Sequence, residues 1–181
     1  MSSLQTENSF FREKVHLRLN LLPDREEVKV LDLFSADGSL WEEVKKQTSK
    51  KIHTLRIDRL PGKKGIYLQG DNLKFMASID LSGFDVIDLD AFGVPTPQLG
   101  ILFRRKYHGR VFVTFIHTFF GRLPTQMLVD LGYTRAMQAK TQVLFNKDHM
   151  RKIEAWLALK GKVTRIQGIN IANKHYFSFE I

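Results

Sequence analysis

The chain predicts an α/β fold built on a mostly parallel sheet, on three observations. Short apolar, β-branched runs alternate with amphipathic stretches along almost the whole length, which implies parallel strands joined by right-handed helical crossovers. The first run, Val28 to Leu31, ends in Asp32 and passes through a small polar loop, Ser35-Ala36-Asp37-Gly38, into a helix start. The last two runs, 162–169 and 175–181, are separated by the turn region Ile171-Ala172-Asn173-Lys174 and read as an antiparallel hairpin.

The elements follow in order. Residues 8–22 read as an amphipathic helix with Ser9 as N-cap and Phe11, Val15, Leu19 and Leu22 on one stripe, ended by Pro23-Asp24. Strand 1 spans 28–32 and a helix spans about 38–47, closed by the polar stretch Gln47 to Lys51. Strand 2 runs from Ile52 to Ile57 and ends at Asp58; Pro61-Gly62 is a turn. Strand 3 runs from Gly65 to Leu68, ending near Gly70-Asp71, and a short helix covers 72–79. Strand 4 is Phe84 to Leu89, followed by Asp90-Ala91-Phe92-Gly93-Val94-Pro95 and a helix over 97–105. Strand 5 is Arg110 to Ile116. Helices cover 125–131 and 149–159, the second with Ile153, Trp156, Leu157 and Leu159 on its apolar face.

At 181 residues the chain is long enough for one well-buried core, so residues 1–181 are read as a single domain. Its 43% hydrophobic and 26% charged content is that of an ordinary globular protein. No apolar run approaches the roughly 20 residues needed to cross a bilayer. The N-terminus has neither a basic nor an apolar leader-like region, which points to a cytoplasmic protein without a membrane partner. With zero cysteines, disulfides, thiolate metal sites and thiol nucleophiles are excluded. The six histidines are scattered, and no metal-ligand spacing is present. The net charge of +9 gathers at Lys45-Lys46 with Lys50-Lys51, at Arg59 with Lys63-Lys64, and at Arg104-Arg105-Lys106 with His108 and Arg110. Such clusters suit a polyanion, and nucleic acid is the expected partner.

A strand, a tight turn and a helix N-terminus form a place where a nucleotide-like ligand meets backbone N–H groups and a helix dipole. In doubly wound folds that place is the carboxyl end of the strands. Asp58, one strand further on, is a carboxylate able to accept both hydrogen bonds of a ribose diol. Asp71 is either an N-cap or a partner for an adenine amine, and Asn72 shares that ambiguity. Asp88 and Asp90 lie two residues apart on one strand and point to one face, where buried carboxylates require donors. Phe92 can stack on a base or pack under its loop.

Asp32-Leu-Phe-Ser-Ala-Asp-Gly38, together with five βα units and a terminal hairpin, resembles the class I S-adenosylmethionine-dependent methyltransferases from about residue 9 to 181. Within them the motifs are most similar to the tRNA guanine-N2 dimethyltransferases. That family reads Asp-x-x-Ser-Ala-x-Gly in its first loop, matched by Asp32, Ser35, Ala36 and Gly38. It ends its fourth strand Asp-Leu-Asp-Pro-Phe/Tyr-Gly, where this chain has Asp88-Leu89-Asp90-Ala91-Phe92-Gly93. Its fifth strand leads into Val-Thr-Ala-x-Asp-Thr, here Val113-Thr114-Phe115-Ile116-His117-Thr118, then Gly121. Ala91 replaces a proline, His117 replaces an aspartate, and the family's large C-terminal RNA-binding region has no counterpart.

The resemblance implies a Rossmann-like three-layer αβα sandwich with a seven-stranded sheet and S-adenosyl-L-methionine as cofactor. It implies cofactor contacts from Asp32, Phe34, Ser35, Ala36, Gly38, Asp58, Asp71, Asn72 and Asp88, with Asp32 at the methionine end. Asp90 is the substrate-facing group, holding an exocyclic amine, and Phe92 stacks on its base. The activity implied is N-methylation of RNA, at a guanine exocyclic amine of tRNA, with a flipped or single-stranded base and a protein partner able to supply further RNA binding. RNA is favoured over DNA because the Asp-Pro-Pro-Tyr signature of amino-methylating DNA enzymes is absent. A DNA or small-molecule methyltransferase and a non-catalytic scaffold of the same fold are the alternatives. A dehydrogenase is disfavoured because Gly-x-Gly-x-x-Gly is missing.

Overall fold

The computed structural model describes residues 10–61, 65–116, 125–140, 149–171 and 174–181. The elements run α1 (Phe11–Asn20), β1 (Glu27–Asp32), α2 (Ser39–Lys46), β2 (Lys51–Asp58), β3 (Leu68–Gln69), α3 (Asn72–Ser78) and β4 (Val86–Leu89). They continue with α4 (Thr96–Arg104), β5 (Arg110–Ile116), α5 (Thr125–Asp130), α6 (Arg135–Lys140), α7 (His149–Lys160), β6 (Thr164–Ile171) and β7 (Lys174–Glu180). The seven strands form one sheet in the order β3-β2-β1-β4-β5-β7-β6. The first five are parallel, and β7 pairs antiparallel with both β5 and β6. The predicted mostly parallel sheet and terminal hairpin are both present.

Two cores make the three layers. On one face Val15 of α1 and Trp41 and Val44 of α2 pack on Val28, Val30, Ile52, Val86 and Phe112. On the other, Met76, Leu99, Leu102, Met127, Ile153, Trp156 and Leu157 from α3, α4, α5 and α7 pack on Leu31, Ile57, Ile87, Val111, Phe115 and Phe177. Strands covered on both faces read as nearly continuous apolar runs, as Val28 to Leu31 and Val111 to Phe115 do.

The differences from the predicted elements have local causes. Phe10, not Ser9, precedes α1, with a left-handed φ of 61° and no side-chain cap; Ser9 lies outside the described residues. The α1 stripe is not purely apolar. Val15 is buried, Phe11, Leu19 and Leu22 are half-buried, and Arg18 is buried among them. Strand 3 shrinks to Leu68–Gln69 because Gly65 takes a φ of 75° and only Ile57 and Asp58 remain as partners. Helix α6 has no apolar periodicity that would have announced it, and Leu159 of α7 faces solvent at 63% exposure. The residues predicted after strand 5, His117, Thr118 and Gly121, lie outside the described set.

Candidate functional site

Parallel pairing brings the carboxyl ends of β1, β2 and β4 level. Asp32 is the register partner of Arg56 on one side and of Asp88 on the other. Side chains in one row of a parallel sheet share a face, so these groups, with Asp90 two residues beyond Asp88, lie on the side covered by α1 and α2.

The first loop is tied to β2. The Ser35 N–H donates to the Ile57 carbonyl at 3.3 Å, and the Ala36 N–H donates to Asp58 Oδ2 at 2.9 Å, with Ala36 itself left-handed at φ 46°. Asp58 Oδ1 accepts the Leu60 N–H at 2.8 Å. Each carboxylate oxygen can accept twice, so Asp58 keeps capacity for a diol. Gly38 closes the loop at φ 78°, its N–H donating to the Ser35 carbonyl at 2.6 Å. A Cβ on Gly38 would lie 2.3 Å from Arg56 Cζ, so the space that this glycine opens is filled by the chain's own guanidinium. Phe34 is half-buried against the second core.

Two groups in this loop lack partners that burial normally demands. Asp32 is 4% exposed, and among the described residues its one hydrogen bond is from the Phe34 N–H at 3.4 Å. Ser35 Oγ is buried with no hydrogen-bond partner among the described residues. Buried polar atoms are almost always satisfied, and here an acceptor and a hydroxyl stand together at the strand end where doubly wound folds hold ligands. Burial, then the neighbouring Asp88, pushes the Asp32 carboxyl well above the usual carboxylate range.

Asp71 caps α3, accepting the Leu73 N–H at 2.8 Å. Asn72 is committed to the framework: its Nδ2 donates to the Leu33 carbonyl at 3.0 Å, and its Oδ1 accepts from Gln98 Nε2 at 2.9 Å. It therefore braces the first loop against α4.

The β4 carboxylates have the donors that their burial requires. Asp88 has no exposed side-chain surface and is gripped bidentately by Arg18, Nε to Oδ2 at 2.7 Å and Nη2 to Oδ1 at 2.8 Å, while Trp41 Nε1 donates to Oδ2 at 2.7 Å. Its place is an internal ion pair under α1 and α2. Burial raises its pKa, partly offset by Arg18. Asp90 is 15% exposed; Lys14 Nζ donates to its Oδ2 at 2.8 Å and Thr114 Oγ1 to its Oδ1 at 2.5 Å. Burial would raise its pKa, but Arg18 and Lys14 outweigh it and hold the carboxyl below the usual range. Ala91 is buried, and Phe92 then projects with 71% of its surface exposed. Gly93, at φ 123°, has open space where a Cβ would be. Phe92 does not pack under its loop.

Sequence reasoning missed Lys14, Arg18, Trp41, Arg56 and Thr114. One signal was available: Arg18 falls three residues after Val15 on the apolar stripe, and Lys14 four before Arg18 shares that face. Several residues of the basic clusters have partners within the chain. Lys45, Lys46, Lys50 and Lys51 pair with Glu42, Glu43, Asp24 and Glu27. Arg105 donates to the Met76 and Ile79 carbonyls, and Arg110 is buried against Glu180. Lys63 and Lys64 lie outside the described residues. Among the described residues no group of His, Asp and Glu is placed to hold a metal ion, and no helix is long and apolar enough to cross a membrane.

No protein-family model matches this chain, and no curated protein matches it by sequence. Solved structures match it in shape. A possible exported protein from Bordetella parapertussis aligns with 94% of this chain and 66% of its own, at 12% identity and a TM-score of 0.57. This chain thus spans just under two thirds of that protein. The plantazolicin methyltransferase BamL, solved with a triazolic desmethylPZN analog and SAH, aligns with 94% of this chain and 83% of its own, at 11% identity and a TM-score of 0.54. A SAM-dependent methyltransferase from Archaeoglobus fulgidus aligns with 93% and 92%, at 12% identity and a TM-score of 0.53. At these identities the likeness shows the fold: the chain has the seven-stranded α/β architecture that these methyltransferases share.

Proposed function

We infer that the chain is an S-adenosylmethionine-dependent N-methyltransferase whose acceptor is a base of RNA, with a guanine exocyclic amine of tRNA as the acceptor that its motifs suggest. The observation that carries this reading is the tip of β4. There a partly exposed carboxylate, Asp90, stands beside an exposed aromatic ring, Phe92, next to the under-partnered Asp32 and Ser35.

The residues fit the cofactor. Asp32 and Ser35 Oγ would receive the charged and polar groups of its amino-acid end, and Asp58 retains acceptor capacity for a ribose. When bound, the cofactor supplies an activated methyl group on a positively charged sulfur. The chain has to orient and dry the acceptor, since alignment and exclusion of water carry most of the effect in such a transfer. Asp90 does the orienting: held ionised, it accepts an N–H of the exocyclic amine and fixes the direction of the nitrogen lone pair. Phe92 offers its face to the base, worth about 1–3 kcal/mol by stacking. The net charge of +9 favours a polyanionic acceptor, and a cytoplasmic setting suits a chain without cysteine.

A second reading, a binding protein without turnover, is favoured by one observation: Arg56 fills the space at Gly38. Calorimetric titration with S-adenosylmethionine and S-adenosylhomocysteine, followed by tritiated-methyl transfer to unmodified tRNA, separates the two. The methyltransferase reading expects micromolar cofactor binding that is lost in Asp32→Ala, and transfer that is lost in Asp90→Ala and Phe92→Ala. Binding without transfer to any RNA would leave the second reading. No binding by the wild-type chain would sink both.

A further inference from the structure

We propose that Lys14 is a specificity-determining residue: by neutralising Asp90 it closes the acceptor site to protonated alkyl amines and leaves it to an uncharged, conjugated nitrogen. The inference rests on the reading of Asp90 as the acceptor-side group and adds the charge state that the acceptor must have.

The argument is one of charge and lone pairs. Asp88 and Asp90 stand against Arg18 and Lys14, one cation to each carboxylate. The groups whose interaction with Asp90 or with Lys14 is recorded enter the balance. From α1 come Lys14 and Arg18, from β1 Asp32, from β4 Asp88, and from β7 Tyr176, whose ring lies 5.3 Å from Lys14 Nζ. Lys174, also on β7, has its Nζ 5.7 Å from the Phe10 ring. Burial keeps the Asp32 carboxyl toward its neutral form. At the tip of β4 each of Asp88 and Asp90 is already matched by its own cation, and an incoming ammonium would meet Lys14 as a like charge at the same carboxylate.

Hydrogen-bonding capacity remains nonetheless. A carboxylate has about four acceptor sites, and Asp90 uses one on Oδ2 for Lys14 and one on Oδ1 for Thr114. A neutral amine can donate to what is left without displacing the lysine. The exposed Phe92 two residues on suits the planar ring to which a conjugated amine is attached.

Lys14 and Arg18 are one helical turn apart but have different duties. Arg18 is 2% exposed and bidentate, a fixed anchor; Lys14 is 12% exposed and holds Asp90 by a single contact. Removing the Lys14 charge should leave α1 seated through Arg18 and open Asp90 to cations.

The test follows the Asp90 carboxyl carbon by NMR in protein labelled at aspartate, with n-butylammonium and guanosine as probes, in wild type, Lys14→Met and Lys14→Gln. The expected result is that butylammonium shifts the Asp90 signal in both variants with an affinity at least about tenfold above wild type, and that the same gain, read by calorimetric titration with butylammonium, disappears when Asp90→Asn is added. Guanosine is expected to bind the wild-type chain. Unchanged butylammonium affinity in both variants, or a gain that survives Asp90→Asn, would overturn the proposal. Methyl transfer to tRNA is scored separately. An ammonium gain without transfer upholds the charge filter and removes the methyltransferase reading; transfer without an ammonium gain does the reverse.

Discussion

Asp32 is a residue whose burial works against folding. It is buried with one long hydrogen bond, and burial followed by Asp88 raises its folded pKa well above the ordinary value. The folded state therefore keeps this proton to higher pH than the unfolded chain does. Its contribution to stability is present below the ordinary carboxylate pKa and is lost as pH rises through the folded value. Asp32→Asn should remove that slope and raise Tm near neutral pH by a few degrees, equivalent to about 1 kcal/mol or more. Thermal melts from about pH 4 to about pH 8 would check this, and equal slopes in mutant and wild type would refute it. The same change should abolish cofactor binding. In the wild type, binding should tighten as pH rises and release a proton, because the cofactor's ammonium favours the ionised carboxyl. Calorimetry in buffers of different ionisation enthalpy reads that proton directly.

At the scale of elements, helix α1 is held to the sheet by ions as much as by apolar contact. Val15 is the buried apolar residue of its face, and beside it Arg18 reaches Asp88 across a sequence separation of 70 residues. Burial would depress the Arg18 pKa, but the Asp88 carboxylate overrides this and raises it. Breaking one side of such a pair strands a charge. Arg18→Met is thus expected to cost about 3–5 kcal/mol by denaturant unfolding. Adding Asp88→Asn should return a large part of that loss, since no charge is then stranded and the amide oxygen still accepts from Trp41 Nε1. Additive losses would mean that the pair is not coupled. The elements themselves were legible wherever the signal was local. Strand 1 and its loop, the Asp71 cap and the apolar β5 each carry their cause within a few residues. The two-residue β3 and helix α6 were not, because pairing and packing set their limits rather than periodicity.

For the whole molecule, the structure redistributes a charge that the sequence only totals. Lysines at 45, 46, 50 and 51 each face an acidic side chain at the surface, and arginines at 105 and 110 are held by backbone carbonyls and by Glu180, so phosphate has to compete with these partners for them. If RNA binds, a modest number of cations should carry it. The slope of log affinity against log salt should then be shallow, about −2 to −4, as three to five phosphate contacts imply for a single strand. Fluorescence anisotropy with labelled tRNA at rising salt measures it; a slope near −7 would show that the paired lysines leave their acids to bind phosphate.

The sequence by itself determined the alternation of strands and helices, the loop after β1, the terminal hairpin, and the placing of Asp32, Asp58 and Asp90 at strand ends. These depend on local backbone preference and on a side-chain period that a linear reading can follow. Only the tertiary structure decided what those carboxylates face. Lys14 meets Asp90 across 76 residues, Trp41 meets Asp88 across 47, and Arg56 comes to rest on Gly38 from a neighbouring strand. Charge compensation is a property of what folding brings together, and a long-range contact leaves no periodic trace in either of the segments that make it.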